Sequence, residues 1–101
     1  MRWALSNKPY YCYVLWSEDA SKFYIGITED VRKRLDDHNS GISKWTKRHA
    51  GSWILVWQQR FESLGEARML ENRLKRQKTG RGFWTLTGLA PSEFKRAHNS
   101  A

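Results

Sequence analysis

A chain of 101 residues, 40% hydrophobic and 14% aromatic, has the size and composition of one folded domain rather than a disordered segment. Its single cysteine, Cys12, excludes a disulfide framework and a Cys-rich zinc module and fits a reducing compartment; no apolar run reaches the roughly 18–20 residues of a bilayer span. A net charge of +8 and a pI near 10.0 favour a polyanionic partner, nucleic acid ahead of an anionic membrane surface.

The opening MRWALSNKPY is too short and too polar for a secretory signal, so a cytoplasmic location is expected, with residues 1–9 as an N-terminal segment. Residues 10–16, YYCYVLW, are bulky and suit a strand whose alternation puts Tyr11, Tyr13 and Leu15 on one face. The polar run 17–21 predicts a turn, and residues 22–27, KFYIGI, a second strand that closes an antiparallel hairpin. Gly26 inside that strand signals a close approach by another group. Thr28 is placed to cap a helix over 29–39, with Glu29 and Asp30 at its positive end and Val31 and Leu35 as its buried positions. Residues 42–52, ISKWTKRHAGS, read as a basic loop. WILVW at 53–57 is apolar throughout and predicts a central strand, extended through 58–61.

Ser63 and Glu66 form a capping box for a helix that runs to about Gln77, with Ala67, Leu70 and Leu74 inward. Gly80 and Gly82 break the chain, residues 83–89 add a short last element, and Pro91 starts a final helical turn. A C-terminal tail over 91–101 is expected to fray after Arg96. The order β-β-α-β-α, with a further short helix, predicts one α/β (α+β) domain over 10–90. Its sheet is small, three-stranded and mainly antiparallel, from about 10–16, 22–27 and 53–60, and flanked by helices.

Basic residues gather in three groups: Arg32, Lys33 and Arg34; Lys44, Lys47 and Arg48; and Arg68, Arg73, Lys75, Arg76, Lys78 and Arg81. Phosphate contacts require only positive charge, so Lys33, Lys44, Lys47, Arg48, Arg73, Lys75 and Arg76 are the candidate nucleic-acid contacts. Trp45, among them, either stacks on an exposed base or packs inward. Arg34 and His38, four residues apart, share one helix face. Together with Tyr13 and Tyr24 they compose a set suited to a phosphodiester: phenol and imidazole move protons, and the guanidinium grips phosphate oxygens. Taken singly, strand aromatics usually pack and a helical arginine is usually solvated. Glu71 borders the apolar stripe of its helix, where a carboxylate needs either a salt bridge to a neighbouring Arg or Lys or a metal ion.

The ordered set resembles the GIY-YIG nuclease family, in its small standalone bacterial form. The second motif is intact as Tyr24-Ile25-Gly26, and the first appears as Tyr11-Cys12-Tyr13, keeping only its final tyrosine. Arg34, His38 and Asn39 on the following helix, a later helical glutamate matched to Glu71, and the segment Ser43-Lys44-Trp45-Thr46-Lys47-Arg48 extend the likeness over roughly residues 9–80. The resemblance implies phosphodiester hydrolysis with one divalent metal, Mg²⁺ or Mn²⁺, held by Glu71. Arg34 would hold the phosphate, and Tyr13 would take a proton from the attacking water with Tyr24 as its partner, the two roles being exchangeable. His38 would orient the water, bond a tyrosine hydroxyl or hold phosphate. The implied activity is a metal-dependent endonuclease on DNA, with RNA left open, structure-selective and tied to repair or recombination. A protein partner for substrate targeting is part of that expectation. The competing class is a nucleic-acid-binding module with the same fold that has no turnover of its own or depends on a partner. The polar set favours the enzyme, because binding alone needs only charge.

Overall fold

Strand β1 (Tyr10–Ser17) is buried on both faces from Cys12 to Ser17, and the rest of the fold is arranged to cover it. In the computed structural model, which describes residues 8–77 and 80–94, β1 pairs antiparallel with β2 (Lys22–Thr28) on one side and β3 (Trp53–Phe61) on the other. Helices α1 (Val31–Asn39), α2 (Leu64–Gln77) and α3 (Arg81–Thr87) complete the domain, with short 3-10 turns at Lys47–His49 and Pro91–Glu93. This is the α+β architecture and element order expected from the sequence.

Alternation along β1 separates two environments. Cys12 and Val14 pack with Ile25, Leu74 and Phe83, so α2 and α3 cover that face. Tyr13 and Leu15 pack with Trp53, Tyr24, Leu35 and Leu55, on the side of α1. At the end of the first face Trp16 meets Phe94 with ring centroids 5.2 Å apart, edge to face. Phe94 thus packs into the core from the segment assigned to the C-terminal tail. Residues 1–7, Lys78 and the stretch after Arg96 lie outside the described residues.

Several expectations are corrected. The apolar run at 53–57 belongs to an edge strand, and β1 is the central one. A bulge explains the run: β1 Val14 pairs with Trp57 and Leu15 with Leu55, so Val56 is an extra residue. Val56 and Trp57 therefore both pack on the α2 side, while Ile54 is 55% exposed. Helix α1 starts at Val31 rather than Glu29, because β2 continues through Thr28. Asp30 is the cap, its carboxylate accepting from Lys33 N, while the Thr28 hydroxyl accepts from Asp30 N. Val31 and Leu35 are half-buried, and the fully buried residue of α1 is His38. Gly80 precedes α3, but Gly82 lies within it. The loop at 42–52 buries Ser43 and Thr46 and holds a helical turn. Helix α2 follows expectation: Glu66 N donates to Ser63 Oγ, and Ala67 and Leu74 are buried.

Gly26 lies opposite Tyr13 in the β1–β2 ladder, and the Tyr13 ring occupies the space a side chain would take. A Cβ at this position would stand 2.6 Å from the Tyr13 hydroxyl oxygen and 2.8 Å from its ring carbon. Gly26→Ala is therefore expected to cost about 1–3 kcal/mol, the usual range for overpacking, read from denaturant midpoints. A variant as stable as the parent would show that Tyr13 is free to move aside.

Candidate active site

The helical spacing of Arg34 and His38 and the strand alternation of Tyr13 and Tyr24 bring all four side chains to the α1 side of the sheet. Tyr13 and Tyr24 are diagonal neighbours, since Tyr13 pairs with Gly26 and Leu15 with Tyr24. Their ring centroids are 6.3 Å apart. The His38 ring stands 4.6 Å from Tyr24 and 6.1 Å from Tyr13. The Tyr13 hydroxyl shares a 3.0 Å hydrogen bond with His38 Nε2, and His38 Nδ1 shares one of 2.6 Å with Thr46 Oγ1. Tyr13, His38 and Thr46 are all buried.

Burial, then the positive charge of Arg34, lowers the His38 pKa from 6.5 to about 4, with Asp37 opposing weakly. The imidazole is accordingly neutral at physiological pH, donating from one ring nitrogen and accepting at the other. Of its two hydroxyl partners, one therefore gives a proton and the other receives one. Tyr13 is pushed above the ordinary phenol range by burial first and by Tyr24 and Glu71 after it; the hydrogen bond and charge of Arg34 pull the other way and do not prevail. The influence of Arg34 on the phenol is thus present but outweighed by desolvation. Arg34 itself is held above its usual value: burial opposes its charge, and its interactions with the Tyr13 and Tyr24 phenols more than offset that. Its guanidinium also lies 3.5 Å from Asp37.

Glu71 comes from the opposite side of the sheet, on α2. Its side chain is 13% exposed and its carboxylate pairs with Lys75 Nζ at 2.9 Å, the i,i+4 salt bridge that the sequence offers as one alternative. Its influence on the other four reaches Tyr13, which its charge raises, as it also raises Cys12. Cys12 is pushed up to about 12, chiefly by burial, and stays a neutral thiol. Among the described residues no cluster of three or more His, Cys, Asp or Glu is available for a metal. A single, mostly buried carboxylate still fits a hard cation such as Mg²⁺, which retains most of its waters and takes one or two protein carboxylates.

The candidate nucleic-acid contacts Lys33, Lys44, Trp45, Lys47, Arg48, Arg73, Lys75 and Arg76 are all exposed, on α1, the 42–52 loop and α2. Lys33 leans toward Asp37 at 3.5 Å, and Lys75 is taken up by Glu71. Two residues of the site escape a reading by spacing. Thr46 is visible in the sequence only as a member of the basic loop and of the segment that shares the family likeness, with no role of its own, yet it holds the second nitrogen of His38. Asn39 acts as a clamp: its Nδ2 donates to Trp53 O, while its Oδ1 accepts from Gly51 N and Trp53 N. This fixes where the loop rejoins β3, while Thr46 O accepts from Trp53 Nε1. The sequence signals for Asn39 are its adjacency to His38 and its place in the family likeness.

The family model described as GIY-YIG catalytic domain matches residues 9–83. A UPF0213 protein of Streptococcus pneumoniae is 44% identical over 68 residues, covering 67% of this chain and 68% of its own. One of Aeromonas salmonicida is 43% identical over 58 residues, 57% of this chain; the match spans 43% of that relative's length. A third, of Nitratidesulfovibrio vulgaris, is 28% identical over 89 residues, 88% of this chain and 80% of its own. No solved structure gives a significant match.

Thr46→Val keeps the shape and deletes the partner of His38 Nδ1. It should cost about 1–3 kcal/mol, the penalty for a buried polar atom left unpaired, whereas Thr46→Ser should recover most of it; equal stability of the valine and serine variants would deny the bond any role. A pH consequence follows from His38. Its pKa is about 4 in the folded protein against 6.5 for a free imidazole, so between these values the unfolded chain binds more protons. Stability should therefore fall as pH drops from 6.5 toward 4, and His38→Gln should remove part of that slope in pH-dependent denaturation. An imidazole NMR titration with a midpoint near 6.5 in the folded protein would contradict the buried neutral ring.

Proposed function

Because this chain belongs to the GIY-YIG family, whose domain is of the nuclease type, we propose that it is a metal-dependent endonuclease that hydrolyses phosphodiester bonds in DNA. The observation that carries the reading is the convergence of Arg34 and two phenols around the buried His38, with Thr46 behind it. A protein that only binds nucleic acid needs positive charge, and it gains nothing from burying a tyrosine, an imidazole and a threonine in a hydrogen-bonded row. The repair or recombination role and the cytoplasmic location belong to the same proposal. Among the described residues no helix is long and apolar enough to cross a membrane.

Glu71 is the carboxylate offered to the divalent cation, which when bound supplies charge neutralisation at the phosphate and at the leaving oxygen. Arg34, on the α1 side, holds a non-bridging phosphate oxygen with its forked donors. Burial supports one assignment of the two tyrosines. Tyr13 is 1% exposed, whereas Tyr24 is half-buried in front of His38. A base must come within about 3 Å of the proton it removes, which favours Tyr24 as the phenol that meets the water. Tyr13 then acts from behind, locked by His38. In the tautomer where Thr46 donates to Nδ1, His38 presents Nε2–H to the Tyr13 oxygen; in the other, Tyr13 donates to Nε2 and Nδ1–H donates to Thr46.

The test is single-turnover cleavage of labelled single-stranded, duplex, flapped and branched DNA with Mg²⁺ or Mn²⁺, beside binding titrations without metal. Glu71→Gln should abolish cleavage and leave metal-free affinity intact. Arg34→Ala should slow cleavage by about 10²–10³-fold with a modest loss of binding. Tyr24→Phe should lose about 10²–10⁴-fold, the range of a general base, and more than Tyr13→Phe. Full activity in Glu71→Gln would defeat the one-carboxylate site. Intact binding with no cleavage of any substrate would make the protein a binding module.

A further inference from the structure

Among the described residues Trp45 is the tryptophan that faces solvent: it is 76% exposed, whereas Trp16 and Trp53 are buried and Trp57 and Trp84 are half-buried in the core. Leaving a large ring in water forgoes the burial that its neighbours obtain. The loop is nevertheless well anchored on either side of it. Ser43 and Thr46 are buried, Thr46 N donates to Ser43 O, and Thr46 Oγ1 is hydrogen-bonded to His38. The indole is thus carried on a short tethered bend, one residue from the buried row of the site. Its surroundings are cationic: Lys44 Nζ lies 5.3 Å from the ring centroid, and Lys47 and Arg48 follow, both exposed.

We propose that Trp45 is a stacking platform for an unpaired nucleobase, and that the protein acts on DNA with unstacked nucleotides beside the scissile phosphate rather than on continuous duplex. An aromatic face amid lysines and arginine matches a single strand in both respects, with the cations on its phosphates and the indole on its base. A fully paired duplex offers only the phosphates, because its bases are already stacked on one another. The tether gives the choice a route to the chemistry: a base seated on Trp45 loads the peptide that leads directly into Thr46 and thence to His38. This rests on the nuclease reading, but its test does not require turnover.

The experiment titrates the full chain, without divalent cation, against a labelled single strand, the matched duplex, and the same single strand with its bases replaced by abasic sites. Wild type should bind the natural strand about tenfold more tightly than the abasic one, the size of one base–aromatic contact. Trp45→Ala should erase that preference and leave duplex affinity and the salt slope as they were; Trp45→Phe should keep most of it. Lys47→Ala provides the contrast, lowering the single-strand salt slope by about 0.7 while the preference for bases survives. Equal wild-type affinity for natural and abasic strands would overturn the proposal. So would a Trp45→Ala variant that binds DNA normally but no longer self-associates in sedimentation, which would assign the ring to a second copy of the chain. An inactive wild type that still distinguishes base from abasic strand would remove the nuclease reading and leave the platform standing.

Discussion

The hydrogen bond between the Tyr13 hydroxyl and His38 Nε2 ties the middle strand of the sheet to the last turn of α1, across 25 residues of chain, in the buried interior. Everything near it is arranged to make that bond possible. Gly26 withholds a side chain so that the Tyr13 ring can lie across β2. Thr46 reaches under His38 to occupy its other nitrogen, and Asn39, the next residue, pins the start of β3, where the loop rejoins the sheet. In a low-dielectric interior a partly satisfied polar row is worse than an apolar one, so the members must be held together or not buried at all. This explains why so many separate elements, β1, β2, α1, the loop and the start of β3, meet at one imidazole.

The same burial sets the resting charges. His38 is kept neutral and Tyr13 is kept protonated, although a guanidinium engages the phenol directly. Glu71 raises the phenol and Arg34 lowers it, so any positive charge set against Glu71 acts in the same direction as Arg34. The Lys75 ion pair already occupies that carboxylate, and because the Glu71 side chain is only 13% exposed, loss of Lys75 would leave a mostly buried charge without that partner.

Much of this was legible in the sequence because it depends on local rules. The hairpin strands follow from alternation, the face shared by Arg34 and His38 from helical spacing, and the Glu71–Lys75 pair from a four-residue offset. What was misread depends on contacts between distant segments. WILVW looks central because five apolar residues run together, yet the run reflects a bulge that turns Val56 and Trp57 to the same side. Thr28 and Asp30 are both competent caps, and only the pairing of Thr28 with Tyr11 in the ladder decides for Asp30. Helix α1 reads as almost wholly polar, so nothing local announces that its deepest residue is a histidine. Thr46 is an ordinary loop threonine until the Asn39 clamp and the Trp53 indole bring the loop back over α1.

A polar row is a heavy demand on a domain of this size. Net stability in such chains is about 5–15 kcal/mol, and each unpaired buried polar atom forfeits about 1–3. The opposite face of the sheet carries the compensation. Phe23 stands within 6 Å of four other rings, at 4.8 Å from Trp16, 4.9 Å from Phe83, 5.0 Å from Phe94 and 5.8 Å from Trp84. This aromatic cluster involves no group of the candidate site. Strand β1 connects the two by simple alternation, sending Cys12 and Val14 to the apolar face and Tyr13 and Leu15 to the polar one. The central strand is therefore where stability and chemistry are joined, which is why its seven-residue ladder with β2 runs unbroken past both tyrosines while the irregularity falls on the β3 side. A bulge between β1 and β2 would shift Tyr13 off Gly26 and part it from His38; a bulge against β3 alters only how an edge strand is covered.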